Sequence, residues 1–211
     1  PLRSVESFPG NNVVLTIDFD LQKVAEEAYQ DKNGALIAMD PKTGRILAMV
    51  SKPSFDPSIF ARGVSAEEWR ALMDHPFHPL QNKGIQGQYP PGSVFKIVTA
   101  IAGLETETIT PQTQITCTGL FPYGNRDFRC WKEKGHGTLN LHQALVESCD
   151  IYFYQVGLKV GVDAIAHYAG ELGLGRKTGI GLPHEKAGIV PSTSWKKKRL
   201  GVQWYSGETL S

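Results

Sequence analysis

No stretch of this sequence approaches the roughly 20 consecutive apolar residues that a membrane span needs. Its opening, Pro1-Leu2-Arg3, is not a charged region leading into an apolar one, as a secretory signal would be. The piece is therefore read as soluble. Excess charge is also lacking: 22 Lys and Arg against 21 Asp and Glu leave a formal net charge of +1. That excludes the broad basic field on which a nucleic-acid backbone would bind, and no nucleic-acid partner is expected. The run Lys196 to Arg199 is local and reads as solvated surface. Three cysteines are too few for a disulfide-dense scaffold. Internal repeats and low-complexity tracts are absent, as is an initiator Met, and Gly207-Glu208-Thr209-Leu210-Ser211 carries no stop signal for an element. Both ends are read as cuts in a longer protein. With 211 residues, 41% hydrophobic and 20% charged, the chain has enough apolar material for one sizeable core.

Periodicity gives a first set of elements. Residues 12–18 alternate like a strand, and Asp20 is placed to cap a helix through Leu21, Val24, Ala25 and Ala28. Residues 35–39 and 46–50 flank Asp40-Pro41-Lys42-Thr43-Gly44, in which Pro presets a turn and Gly supplies positive φ, so a β-hairpin is predicted. Residues 51–92, rich in Pro, Gly, His and Asn, read as a long irregular connection. After Tyr89-Pro90-Pro91-Gly92, which cannot be helix, the pattern Val94, Ile97, Val98, Ile101, Leu104 is helical and Ser93 opens it. Residues 105–139 read as irregular. Helices follow over 141–147, 151–160 and 162–172, with Gly161 and Gly173 as stops. A hairpin followed by helices predicts an α+β class whose remaining strands lie past Ser211.

Two short motifs carry chemistry. Ser93-Val94-Phe95-Lys96 has S-x-x-K spacing, which puts a hydroxyl and an amine one turn apart on one helix face. An apolar setting that discharges Lys96 would let it take the Ser93 proton during attack on a carbonyl, and the free N–H groups at the helix start favour the developing oxyanion. Ser148-Cys149-Asp150 lies at a junction of predicted helices, where the Ser148 hydroxyl could relay a proton to a leaving amine. Ser194-Trp195-Lys196-Lys197 and Ser54-Phe55-Asp56 have the same forms in poorer contexts. Cys117, Cys130, His136 and Cys149 offer S₃N ligation of the closed tetrahedral kind that zinc prefers. Two other readings stand beside zinc: a Cys117–Cys130 disulfide with Cys149 buried, or three free thiols. His75, His78, His142, His167 and His184 form no ligand set in the sequence.

The text Tyr89-Pro90-Pro91-Gly92-Ser93-Val94-Phe95-Lys96, the hairpin from Asp40 to Val50, and Thr178-Gly179-Ile180-Gly181-Leu182-Pro183 resemble the class B penicillin-binding proteins. Within them, Gly135-to-Asn140, Asp150-to-Gln155 and Trp195-to-Arg199 are most similar to the penicillin-binding protein 2 subgroup, the elongation transpeptidases. The resemblance implies a penicillin-binding protein/serine β-lactamase-like transpeptidase fold over residues 12–211, with 1–11 as a linker from an upstream pedestal or anchor. It implies Ser93 as acylated nucleophile, Lys96 as base, Ser148 as relay and Asp150 as a substrate-holding residue of the cleft. No cofactor is implied for the chemistry. A structural zinc is, since some elongation transpeptidases resemble this chain at Cys130, His136 and Cys149. Implied partners are peptidoglycan stem peptides, β-lactams, a membrane glycan polymerase and the elongation machinery, on the periplasmic face of an inner membrane with a single-pass anchor outside this piece.

The sequence departs from the family at two points. Asp150 stands where S-x-N has an amide, as the elongation subgroup also has it, and no K-T-G lies in a suitable strand. Lys42-Thr43-Gly44 is in the hairpin turn and Lys177-Thr178-Gly179 follows a helix, so the fold is expected to be truncated before its K-T-G strand and the piece inactive alone. The rival readings are a serine β-lactamase or D,D-carboxypeptidase, and a β-lactam-sensing or scaffold module.

Overall fold

A computed structural model describes residues 8–210. Residues 1–7, most of the expected linker, lie outside them, as does Ser211. The chain forms two compact units, one up to Gln88 and the other from Tyr89.

In the first unit Asp18, not Asp20, caps the opening helix, α1 (Phe19–Tyr29): its Oδ1 accepts from the Leu21 amide at 2.9 Å. Asp20 then lies in the first turn, where its charge suits the helix dipole. The predicted hairpin is present as antiparallel β1 (Gly34–Met39) and β2 (Ile46–Lys52), paired from Gly34 with Lys52 to Ala38 with Ala48 before a register shift at Met39. Asp40 holds the turn through the Lys42 amide (3.0 Å) and the Thr43 hydroxyl (2.6 Å), and Gly44 has φ 73°. The Gln22 amide clips α1 to β2, donating to Met49 O (3.0 Å) and accepting from Met49 N (2.8 Å). Ala25, Ala48 and Val50 form the small buried core beneath.

The strand expected over 12–18 does not form. Its contacts with β2 are Thr16 Oγ1 to Ile46 O and Asp18 N to Leu47 O, too few for a ladder. The connection over 51–92 is less irregular than expected, containing α2 (Ser58–Arg62), α3 (Ala66–Met73) and α4 (Lys83–Gln86). Helix α3 starts at a capping box in which Ser65 Oγ accepts from Glu68 N and Glu68 accepts from Ser65 N. That signal is written in Ser65-Ala66-Glu67-Glu68.

In the second unit a 3₁₀ turn (Gly92–Phe95) leads into α5 (Lys96–Glu105), so Ser93 sits one residue inside a tighter turn and the α-helix proper begins at Lys96. Helices α6 (Leu141–Val146), α7 (Asp150–Val160) and α8 (Val162–Glu171) match their predictions closely. Gly103 lets α5 approach its neighbours, since a Cβ there would meet Ile109 at 2.9 Å and Val156 of α7 at 3.1 Å. The region over 105–139 holds four short strands: β3 (Ile115–Cys117) pairs with β6 (Gly137–Leu139), and β4 (Leu120–Tyr123) with β5 (Arg126–Arg129). Strands of three or four residues fall below the length at which alternation is legible.

The main core gathers Ile109, Ile115, Ala144, Ile151, Tyr152 and Val156. Tyr152 is fully buried and its hydroxyl donates to Thr113 O at 3.0 Å, with burial pushing the phenol pKa up. Tyr152→Phe leaves that carbonyl without its donor, so a destabilisation of about 1–2 kcal/mol is expected in denaturant titrations. A helix not expected from the sequence follows: α9 (Thr193–Leu200), capped by Ser192 Oγ, which accepts from the Trp195 amide. Its basic run is solvated at Lys197–Arg199 only. Lys196 is 7% exposed, bonded to both oxygens of Glu208 (2.5 and 2.6 Å) and stacked against Trp204 and Tyr205, which ties α9 to the closing 3₁₀ turn (Ser206–Leu210).

Candidate active site

Ser93 is exposed on the 3₁₀ turn, reached through Gly92 at φ 60°. The Lys96 amide donates back to Ser93 O and Val94 O. In a 3₁₀ turn residues i and i+3 eclipse, so Ser93 and Lys96 stack on one side of the chain, as the S-x-x-K spacing requires.

The Lys96 side chain is 13% exposed. Its Nζ donates to Asp150 Oδ1 (2.6 Å), Ser148 O (2.7 Å) and Ser148 Oγ (3.0 Å), and lies 5.9 Å from the centre of the Phe153 ring. The expected purely apolar setting is thus absent. Three acceptors, one a carboxylate, match the three N–H donors of an ammonium.

Ser148 is presented by a broken helix. After α6, the Ser148 amide donates to Leu145 O (3.2 Å) and the Cys149 amide to Ala144 O (2.9 Å), with Ser148 at φ 48°. This is the left-handed position that Gly usually fills after a helix. A non-glycine residue held there costs on the order of 1–3 kcal/mol. In return, both oxygens of Ser148 point at Lys96. Asp150 then opens α7, with its second oxygen accepting from the Trp131 amide at 3.0 Å. Both carboxylate oxygens therefore have partners within the chain.

The look-alike motifs are placed elsewhere. Lys197 is exposed on α9. Asp56 accepts from the Ser58 amide and hydroxyl in a local turn. Thr178 of Lys177-Thr178-Gly179 bonds Glu185 through its amide and hydroxyl in a loop, and Lys42-Thr43-Gly44 is in the β1–β2 turn.

Cys117, Cys130, His136 and Cys149 converge, their ligand atoms all within 4.8 Å of one another. All three cysteines are free, so the disulfide alternative is not what forms. The His136 Nδ1 lies 3.5 Å from Cys130 Sγ and 3.6 Å from Cys117 Sγ. Zn–S and Zn–N bonds of about 2.3 and 2.0–2.1 Å at tetrahedral angles place sulfur and nitrogen roughly 3.6 Å apart. His136 Nε2 is buried with no hydrogen-bond partner, and the nearest carboxylate, Glu147 Oε2, is 4.0 Å away. Burial pushes the Cys149 thiol up to about 12, the mark of a sulfur placed away from water with no counter-charge. The donor set, its spacing and its burial all fit a zinc ion. Among the described residues no other His, Cys, Asp or Glu group gathers in this way.

Sequence reasoning passed over two residues here. Trp131 supplies an amide to Asp150 and an indole N–H to Glu147 O (3.0 Å), and its ring meets the His136 ring edge-on at 5.3 Å. Glu147 places its carboxylate beside His136. A main-chain donor has no signature in residue type, whereas a Trp directly after a candidate ligand is a signal available in the text.

Known proteins bear on this arrangement. The chain is 40% identical to peptidoglycan D,D-transpeptidase MrdA of Acinetobacter baumannii, over 96% of its own length and 30% of the relative's. It therefore spans about a third of the length of the curated relatives it matches. Among solved structures it is similar to Pseudomonas aeruginosa PBP2 in complex with WCK 5153 (TM-score 0.90, 38% identity, 96% of this chain and 45% of that one). It is also similar to PBP2 of Helicobacter pylori in complex with MreC (TM-score 0.88, 39% identity, 92% and 37%). A third similar structure is the penicillin G acyl-enzyme of penicillin-binding protein A from Mycobacterium tuberculosis (TM-score 0.74, 32% identity, 83% and 43%). Residues 34–209 match the penicillin binding protein transpeptidase domain, and the chain belongs to that family.

Proposed function

We propose that this chain is the nucleophile-bearing part of a peptidoglycan D,D-transpeptidase that cross-links stem peptides during cell-wall elongation and is inhibited by covalent β-lactam binding. The observation that carries the reading is the convergence of Lys96 Nζ on Ser148 Oγ, Ser148 O and Asp150 one turn after Ser93. Before the attack the Lys96 ammonium gives one proton to Ser148 Oγ, 3.0 Å away, as Ser148 releases its own to solvent water, which leaves a neutral amine. Lys96 then takes the Ser93 proton as Ser93 Oγ bonds to the carbonyl carbon between the two D-alanines. The C–N bond breaks, the leaving D-alanine amine receives the proton by way of Ser148, and an acyl-enzyme remains. An amine of a neighbouring stem attacks that ester, forms the cross-link and returns the proton to Ser93. Asp150 holds Lys96 in place, Lys96 in turn holds Ser148, and Asp150 borders the substrate.

A zinc ion held by Cys117, Cys130, His136 and Cys149 supplies structural support, not chemistry of the reaction. Cys149 separates Ser148 from Asp150, so holding its sulfur fixes both neighbours. The same reading puts the parent protein on the periplasmic face of an inner membrane, anchored by a segment outside this chain. No helix among the described residues is long and apolar enough to cross a membrane. The MreC complex of the H. pylori relative supports a partner of that kind in the elongation machinery, and a similar chain solved in a peptidoglycan synthase complex that coordinates polymerization and crosslinking supports a glycan polymerase beside it.

The test is intact mass after penicillin treatment, on a protein extended through its next K-T-G and on Ser93→Ala and Ser194→Ala. One penicilloyl adduct mapped to Ser93, absent from Ser93→Ala and retained by Ser194→Ala, is expected. A folded extended protein that takes no adduct would favour a scaffold module, and rapid loss of the adduct to water would favour a β-lactamase.

A further inference from the structure

Trp131 sits where the thiol–imidazole cluster and the Lys96 site meet, yet it belongs to neither. Its predecessor, Cys130, is one of the cluster's sulfurs. Its own amide donates to Asp150 Oδ2 at 3.0 Å, while Asp150 Oδ1 accepts from Lys96 at 2.6 Å. The indole N–H donates to Glu147 O at 3.0 Å, and the ring packs edge-on against His136 at 5.3 Å. These contacts fix one residue to the cluster, to the end of α6 and to the start of α7 at once.

The exposure of the ring makes this pattern informative. Trp131 is 63% exposed. Leaving most of an indole in water forgoes the burial that usually explains a Trp. What the indole gains instead is one directed hydrogen bond, to Glu147 O, and cover over a cluster histidine. A carboxylate held at one oxygen can swing about χ2, whereas one held at both oxygens has a defined plane. The Trp131 amide is the second of those holds.

We propose that Trp131 is a positioning residue that sets the plane of Asp150, and through it the position of Lys96 Nζ, from the geometry of the cysteine–histidine cluster. The proposal rests on the transpeptidase reading. Loss of the indole leaves the amide in the chain but frees the Cys130–Lys132 segment from Glu147 and His136, so Asp150 loses a fixed donor while the four cluster ligands remain.

The experiment uses the full-length parent protein, Trp131→Phe and Trp131→Ala. It measures the first-order acylation step and the preceding non-covalent dissociation constant with a fluorescent penicillin, the melting temperature, and the thiolate charge-transfer band of the cobalt(II)-substituted cluster. Trp131→Ala is expected to slow the acylation step roughly 10- to 100-fold, the range for residues that orient reacting groups through others. The dissociation constant and cobalt band are expected to stay as in the parent. Trp131→Phe keeps the ring over His136 without the N–H and should fall between the two, which guards against a misfolded alanine variant. Parent-like acylation in both variants overturns the proposal, as does a slowing that tracks loss of the cobalt band. A parent that takes no adduct overturns the transpeptidase reading itself, and this proposal with it, whereas an acylating parent with indifferent variants sinks the Trp131 role alone.

Discussion

Lys96→Ala in the full-length protein is expected to slow penicillin acylation by about 10³- to 10⁴-fold, near the upper end of what a positioned general base contributes. The amine is in hydrogen-bond reach of the proposed relay, Ser148 Oγ, and Lys96 follows Ser93 by three residues at the end of the 3₁₀ turn, the spacing that puts both on one side. Its removal also strips one donor from Ser148 O, Ser148 Oγ and Asp150 Oδ1 together. A stability loss of about 1–3 kcal/mol is expected beside the kinetic one, because partly buried acceptors lose a charged donor. Lys96→Arg separates the two effects. A guanidinium keeps the charge for Asp150 but does not deprotonate in proteins, so stability should recover more than rate. Stopped-flow acylation and denaturant titration of both variants decide this. An arginine variant that acylates at close to the parent rate would remove Lys96 from the role of base.

What was legible in the sequence follows from how each feature is encoded. The helices α5 to α8 repeat apolar residues with helical spacing, so α6 to α8 could be read within one or two residues, with Gly161 marking the end of α7, whereas α5 starts three residues after the expected Ser93 because a 3₁₀ turn comes first. The β1–β2 hairpin was written in its turn residues. The S-x-x-K pair was legible because i and i+3 meet in either a 3₁₀ turn or an α-helix. The partner of Lys96 was not, since Asp150 is 54 residues away and only tertiary packing brings a carboxylate to 2.6 Å. The same limit explains Lys196: a charge run reads as surface until Glu208 and two rings close over one member of it. Short strands such as β3 and β6 owe their existence to neighbours rather than to pattern. The N-terminal segment shows the converse, an alternating run that finds one main-chain bond to β2 and stays unpaired.

On the proposal that the cysteine–histidine cluster holds zinc, treating the parent protein with a strong chelator is expected to lower its melting temperature on the order of 10 °C, and to slow acylation of what remains folded. An ion present at about 1,000 times its dissociation constant stabilises the folded state by roughly 4 kcal/mol, and 1 kcal/mol moves the midpoint of a domain this size by about 2–4 °C. The argument for so large an effect is local. Cys117 ends β3, Cys130 follows β5, His136 precedes β6 and Cys149 caps α7, so one ion would bind four separate chain segments, none of which has a strand longer than four residues to hold it. Without the ion, three buried sulfurs and the His136 Nδ1 that faces two of them remain together in the core. The acylation effect follows from position, because Cys149 lies between Ser148 and Asp150. Cys149→Ala should reproduce both losses with no further response to chelator. Metal analysis of the purified protein, paired with calorimetry before and after chelation, gives the answer: one zinc per chain and a reversible fall in melting temperature on its removal. A metal-free protein with three titratable thiols, unchanged by chelator, would show that the cluster holds the site by packing alone.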